Sequence, residues 1–119
     1  MVKIAVLVSG GGTNFQALID AEKAGGIPDG QIALCVSSSK NAYALTRAAE
    51  NGIEAAVLRP RDFESRDAYA EALLRLLREK EIGLVVLAGF LVILPEKLIE
   101  AYRGRIVNVL PSLIPSFCG

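Results

Sequence analysis

Short apolar runs rich in β-branched residues alternate along the chain with segments whose apolar residues recur at helical spacing. The runs that predict strands are residues 4–8, 32–36, 54–58, 84–88 and 106–109. Helical patterns start near Thr13, span residues 41–50, follow Ser65 and span residues 95–102. This alternation predicts an α/β fold, with a Rossmann-like, mostly parallel sheet, right-handed crossovers and helices on both faces. In such a sheet, ligands bind beyond the carboxyl ends of the strands.

Local signals mark the starts of two of these helices. Thr13 with Gln16 three residues later fits a capping box, in which the two side chains satisfy free backbone N–H groups. Ser65 is a suitable N-cap for the third helix, and Glu71 with Arg75 predicts an i,i+4 ion pair on its exposed side. The predicted apolar stripe of that helix consists of Tyr69, Leu73, Leu76 and Leu77.

The composition limits the classes of partner. A chain of 119 residues with 52% hydrophobic residues suffices for one domain with its own core. Thirteen basic and thirteen acidic residues cancel, which argues against nucleic acid or an anionic membrane as a partner. No apolar run approaches the roughly 20 residues that cross a bilayer, and no leader pattern is present. We therefore expect one cytoplasmic domain.

Residues that hold metals or move protons are scarce in this sequence. There is no histidine, so the usual acid–base group for chemistry near neutral pH is missing. Cys35 and Cys118 are far apart and form no C-x-x-C pattern, and Cys35 lies inside an apolar run. We expect no metal site and no disulfide framework, with Cys35 as a small core residue.

A glycine-rich loop joins the first predicted strand to the first predicted helix: Gly10, Gly11, Gly12, Thr13 and Asn14. Glycines accept positive φ and let the backbone approach a ligand closely. The helix start adds free N–H groups and a partial positive charge, and the Thr and Asn side chains add hydrogen-bonding groups. The loop therefore predicts a phosphate site, the plainer alternative being a tight turn without a ligand.

Two common nucleotide motifs fit this loop poorly. The pattern G-x-G-x-x-G needs a glycine where Phe15 stands, and no acidic residue ends the second strand to hold a ribose. The pattern G-x-x-x-x-G-K-[ST] is absent. Binding of NADP stays open, because Lys40 could meet a 2′-phosphate.

Four motifs in order carry a resemblance to a known family. They are SGGGTN at 9–14, SRDAY at 65–69, LAGFLVILP at 87–95 and NVLPSLIP at 108–115. With them the chain resembles phosphoribosylglycinamide formyltransferase, also called GAR transformylase, from Lys3 to Gly119. The resemblance implies transfer of a formyl group from 10-formyltetrahydrofolate to the amine of glycinamide ribonucleotide in purine biosynthesis.

The resemblance also implies roles for individual residues. The residues that match the family's loop for the substrate phosphate are Gly11, Gly12, Thr13 and Asn14. Arg66 matches a folate contact, although an arginine in a first helical turn is often only solvated. The segment that matches the pterin pocket, largely through backbone groups, is Leu91, Val92, Ile93 and Leu94, whose side chains would otherwise suit any core. Asn108 matches the catalytic, folate-contacting asparagine and would otherwise be a turn former.

The sequence departs from the family at its acid–base residue. The family has Asn, an aliphatic residue, then His, Pro and Ser, and Leu110 stands at the histidine position. A downstream aspartate that supports this histidine in the family lies beyond Gly119 in the pattern. We therefore expect an incomplete or impaired enzyme with little or no transfer activity, which Leu110→His alone would not restore. The strand with Asn108 would then be an exposed edge, open to self-association.

Two other hypotheses come from different classes of protein. One is a phosphate- or nucleotide-binding module without chemistry, and the other is an NADP-dependent oxidoreductase domain. Related formyltransferases that act on methionyl-tRNA share part of the 108–112 element but not the glycine loop. The zero net charge also argues against tRNA.

Overall fold

The computed structural model describes residues 1–109, and within them a parallel sheet is flanked by helices. The strands are β1 (Val2–Val8), β2 (Gly30–Ser37), β3 (Glu54–Val57), β4 (Leu84–Ala88) and β5 (Ile106–Val109). The helices are α1 (Thr13–Lys23), α2 (Tyr43–Glu50), α3 (Arg66–Glu79) and α4 (Glu96–Ala101), with a short 3-10 helix at Pro60–Asp62. Each strand overlaps a predicted one, so the α/β prediction is confirmed.

The order of the strands places β1 at the centre of the sheet. The sequence β3-β2-β1-β4-β5 has parallel neighbours throughout. The chain moves outward from β1 to β3 and then crosses back to β4 on the other side of β1. The strand order therefore reverses between β1 and β4, and in open α/β sheets ligands bind at such a switch point.

Two apolar layers enclose the sheet, because successive residues of β1 point to opposite faces. Ile4, Val6 and Val8 pack with α1 and α2, whereas Ala5 and Leu7 pack with α3 and α4. All five of these side chains are at most 5% exposed. A strand covered on both faces is typical of a parallel sheet with helices on either side.

Several local predictions hold and others shift. Ser65 caps α3, since its hydroxyl accepts a hydrogen bond from the Ala68 N–H at 3.0 Å. The boundaries differ by one to two residues: β2 is longer than predicted at both ends, and α2 begins at Tyr43 rather than Asn41. Helix α4 is shorter than predicted by one residue at each end. Cys35 is fully buried as predicted, and burial raises the pKa of its thiol to about 12.

The predicted capping box at α1 is wrong. Gly12, not Thr13, is the N-cap, and its φ of 79° and ψ of 31° are left-handed. Thr13 already lies inside the helix, and no side chain of residues 1–109 caps it. A glycine is favoured at a left-handed position because it has no Cβ, so the backbone geometry decided this helix start.

The predicted ion pair between Glu71 and Arg75 is also wrong. Glu71 instead accepts a hydrogen bond from the Lys97 Nζ at 3.0 Å, and Asp67 lies 3.9 Å from the same ammonium group. Because α4 packs beside α3, Glu71 pairs with Lys97 of the neighbouring helix, and the i,i+4 spacing within α3 could not predict this pair. Such exposed pairs contribute little to stability.

Within residues 1–109, β5 is an edge strand, and the Val107 side chain on it is 47% exposed. Self-association through this edge stays a prediction. No helix in this part of the chain combines the length and apolar character needed to cross a bilayer.

We expect Ser65→Ala to lower the free energy of unfolding by about 1 kcal/mol, because the Ala68 N–H loses its acceptor at the start of α3. Thr13→Ala is the matched control, since Thr13 caps no helix and alanine is the better helix former. Urea unfolding of both variants measures the difference. An equal loss in the two variants would contradict this account of the caps.

Candidate functional site

The glycine loop is held against α2 by a close contact. A Cβ placed on Gly12 would lie 2.7 Å from the Ala44 Cβ and 3.0 Å from the Ala44 Cα. Position 12 therefore requires glycine for two reasons: its φ is left-handed, and a Cβ there would clash with Ala44. Gly10 and Gly11 differ, since a Cβ at either would meet no atom within 4 Å.

Backbone carbonyls of this loop also bond to α2. Arg47 donates from Nε to the Gly11 oxygen at 2.8 Å and from Nη1 to the Gln16 side-chain oxygen at 3.2 Å. Its guanidinium lies 4.9 Å from the centre of the Tyr43 ring. The Ala44 N–H donates to the Gly10 oxygen at 3.4 Å. Sequence reasoning missed Arg47 as a residue that positions the loop, because the contact spans 36 residues and no motif contains it.

A cavity of about 380 Å³ opens beside the glycine loop at the switch point of the sheet. Its lining consists of Gly10, Gly11, Gly12, Thr13, Asn14, Ala88 and Gly89. The four residues that sequence analysis assigned to a phosphate thus share one concavity, which the end of β4 closes on the other side. The start of α1 points free backbone N–H groups toward this edge of the sheet, which favours an anion there.

A second cavity, of about 500 Å³, lies beyond the carboxyl ends of the strands on the α3 side. Its lining consists of Pro60, Phe63, Ser65, Arg66, Tyr69, Leu91, Val92 and Ile93. The structure therefore brings Arg66 together with three of the four residues assigned to a pterin pocket. Leu91 and Ile93 are 87% and 72% exposed, so they are not core residues. Leu94 does not line the cavity and packs partly buried against the α3-side core.

Ser9 links the segments that line the two cavities, because it precedes the glycine loop and bonds to Leu91. Its hydroxyl oxygen accepts a hydrogen bond from the Leu91 N–H at 2.9 Å and lies 2.7 Å from the Ser38 hydroxyl. One side chain at the end of β1 thus fixes both the segment after β4 and the end of β2. The sequence had included Ser9 only as the first residue of the motif at 9–14, and a bond across 82 positions leaves no local signal.

Asn108 lies in β5 opposite Leu87 of β4. Leu87 is one residue before Ala88, which lines the glycine-loop cavity. Its side chain is exposed, and it lines neither of the two cavities described above. Leu110 falls outside the described residues. Asn108 therefore lies near the carboxyl edge of the sheet, and no contact in the described residues assigns it a role.

A third cavity, of about 640 Å³, lies at the ends of β2 and β3. It is lined by Ser38, Ser39, Lys40, Asn41, Arg59, Pro60 and Arg61. Arg59 is committed to Asp62 by two hydrogen bonds of 2.9 and 3.1 Å, and this pairing holds the pKa of the Asp62 carboxyl below its usual value. Lys40, the residue on which the hypothesis of NADP binding depends, also lines this cavity. Among residues 1–109, no three His, Cys, Asp or Glu side chains cluster as metal ligands.

The fold agrees with the comparison to known families. The family model described as formyl transferase matches residues 2–119. The chain therefore belongs to the formyl transferase family.

The individual relatives have more specific names than the family. Phosphoribosylglycinamide formyltransferase of Haemophilus influenzae is 40% identical over 119 residues, covering all of this chain and 56% of the relative. The trifunctional purine biosynthetic protein adenosine-3 of Drosophila melanogaster is 40% identical over 98% of this chain and 9% of its own length. The crystal structure of glycinamide ribonucleotide transformylase 1 from Geobacillus kaustophilus superposes with a TM-score of 0.89 at 41% identity. The match covers all of this chain and 63% of the Geobacillus chain. This chain therefore spans 56% to 63% of the length of these two formyltransferase relatives.

We expect Gly12→Ala to lower the free energy of unfolding by about 1–3 kcal/mol, because it forces a left-handed alanine against Ala44. Gly11→Ala is the matched control and should leave stability within about 0.5 kcal/mol of the wild type, since its Cβ meets open space. Thermal unfolding and urea titration measure both. A Gly11→Ala protein as unstable as Gly12→Ala would contradict the contact described here.

Proposed function

We propose that this chain forms the phosphate- and folate-binding part of a phosphoribosylglycinamide formyltransferase. The reaction would transfer a formyl group from 10-formyltetrahydrofolate to the amine of glycinamide ribonucleotide in cytoplasmic purine biosynthesis. The observation that carries the proposal is the hydrogen bond between the Ser9 hydroxyl and the Leu91 N–H. Ser9 directly precedes the glycine loop at one cavity, and Leu91 lines the other cavity. Two cavities suited to two substrates are thereby held side by side on one sheet edge.

The smaller cavity suits the phosphate of the ribonucleotide. Backbone N–H groups at the start of α1 supply donors, and the Thr13 and Asn14 side chains add polar groups at the same place. Gly11 has no Cβ to obstruct a ligand, while Gly12 fixes the turn. Because the net charge of the chain is zero, local geometry rather than a general positive field would attract the anion.

The larger cavity suits an extended aromatic ligand that ends in a carboxylate. Leu91, Ile93 and Phe63 offer apolar contact, and the backbone of the 91–93 segment is available for polar contact with a heterocycle. Arg66 is exposed, and no residue in the described part of the chain forms a salt bridge or side-chain hydrogen bond with it. Its guanidinium is therefore free to pair with a glutamate carboxylate of folate.

The chemistry needs an oxyanion donor and a route for one proton. Attack of the substrate amine on the formyl carbon forms a tetrahedral centre with negative charge on oxygen, and the side-chain amide of Asn108 would donate to that oxygen. A proton must then move from the attacking nitrogen to the folate nitrogen that leaves. Leucine at position 110 cannot move it, so this chain would bind its substrates better than it converts them.

Titration calorimetry with glycinamide ribonucleotide, 10-formylfolate and NADP tests the binding part of the proposal. We expect the first two to bind and NADP to leave no signal. Binding of the ribonucleotide alone would favour a module without chemistry. Binding of NADP through Lys40 would overturn the proposal.

We expect Arg66→Gln to weaken 10-formylfolate binding about 10- to 100-fold, because a charge-assisted hydrogen bond to the glutamate carboxylate is lost. The affinity for glycinamide ribonucleotide should not change. Arg75→Gln is the matched control, since Arg75 is an exposed arginine on the same helix that does not line the folate cavity. Equal effects of the two substitutions would count against a direct role of Arg66.

We expect formyl transfer by the 119-residue chain to be at least about 100-fold slower than by a complete enzyme, because a missing general acid–base group costs roughly that factor. The assay follows loss of the formyl group from 10-formyltetrahydrofolate in the presence of glycinamide ribonucleotide. Leu110→His in the same chain should stay within tenfold of the wild type. A rate comparable to that of a complete enzyme would refute the claim of impairment.

A further inference from the structure

The hydroxyl group of Tyr69 is buried without a hydrogen-bond partner. The Tyr69 side chain is 2% exposed, and its oxygen is the one buried side-chain N or O atom of residues 1–109 that lacks a partner. Burying an unpaired hydroxyl opposes folding, so native structures rarely contain one without a reason. The sequence had assigned Tyr69 only to the apolar stripe of α3, a position that leucine or phenylalanine would fill without this cost.

Tyr102 shows how the same fold treats a tyrosine with a structural role. It is 4% exposed, and its hydroxyl donates to the Ile82 carbonyl oxygen at 2.9 Å. Both tyrosines belong to the same apolar layer against the sheet. The two tyrosines are therefore buried to a similar degree, but within residues 1–109 only the hydroxyl of Tyr102 has a hydrogen-bond partner.

The position of Tyr69 points to a ligand. Tyr69 lines the cavity of about 500 Å³ together with Phe63, whose ring meets the Tyr69 ring edge to face at 5.6 Å. Helical side chains lean toward the helix N-terminus, and the N-terminus of α3 lies at the carboxyl edge of the sheet. Arg66 lines the same cavity three residues earlier, and residues three apart share one helix face.

We infer that Tyr69 is a ligand-binding residue whose hydroxyl donates to the amide carbonyl oxygen that joins the benzoyl ring of folate to its glutamate. This inference rests on the proposed function. In folate that oxygen lies a few bonds from the carboxylate that would pair with Arg66, which matches two donors one helical turn apart. Burial raises the pKa of Tyr69 to about 12, so the phenol keeps its proton over the pH range of any binding experiment.

The test compares Tyr69→Phe with Tyr102→Phe in the full 119-residue chain. Calorimetry measures the affinity for 10-formylfolate and for glycinamide ribonucleotide, and thermal unfolding measures stability without ligand. We expect Tyr69→Phe to bind 10-formylfolate about fivefold more weakly, because one hydrogen bond to the ligand is lost. Its affinity for the ribonucleotide should not change, and its melting temperature should equal or exceed that of the wild type.

Tyr102→Phe should show the opposite pattern, with a lower melting temperature and unchanged 10-formylfolate affinity, because it leaves the Ile82 carbonyl unpaired. A Tyr69→Phe protein with wild-type affinity for 10-formylfolate would overturn the inference and leave the proposed function standing. An equal loss of affinity in both variants would also overturn it. A wild-type chain that binds no 10-formylfolate would overturn the proposed function together with the inference.

Discussion

The parallel pairing of β1 with strands on both of its sides determines where everything else in the described chain can lie. β1 is bonded to β2 along seven residue pairs and to β4 along four, and both of its faces are covered by helices. Because the helices that follow β1 and β4 lie on opposite faces of the sheet, the loops after these two strands diverge and leave a crevice between them. The glycine loop and the 89–93 segment both emerge at that crevice, so the site follows from the strand order.

Hydrogen bonds between loops then give the crevice its shape before any ligand arrives. Ser9 holds the 91 position, and Arg47 holds the Gly11 carbonyl. Neither residue needs to touch a substrate to matter, because each fixes backbone whose N–H groups or side chains face a cavity. Fixing such groups in advance lowers the free energy lost when a ligand orders them. The proposed substrates would therefore meet a site that is largely formed.

The sequence predicted the strands well, because strand formation depends largely on local composition. It located the α3 cap at Ser65 for the same reason. It misplaced the α1 cap, since Thr13 has suitable chemistry but the left-handed turn at Gly12 shifts the helix start by one residue. The contacts of Ser9 with Leu91 and of Glu71 with Lys97 join distant parts of the chain, so no local pattern encodes them. The orphan hydroxyl of Tyr69 is likewise visible only once its neighbours are known.

The contact between Gly12 and Ala44 links two positions that lie 32 residues apart in the sequence. A side chain larger than alanine at position 44 would clash with the glycine loop, just as a side chain at position 12 would clash with α2. Small residues are therefore expected at both positions among functional sequences. Mutational libraries that randomise α2 for stability would select against most substitutions at 44 through their effect on the loop, although Ala44 lines neither of the two proposed substrate cavities.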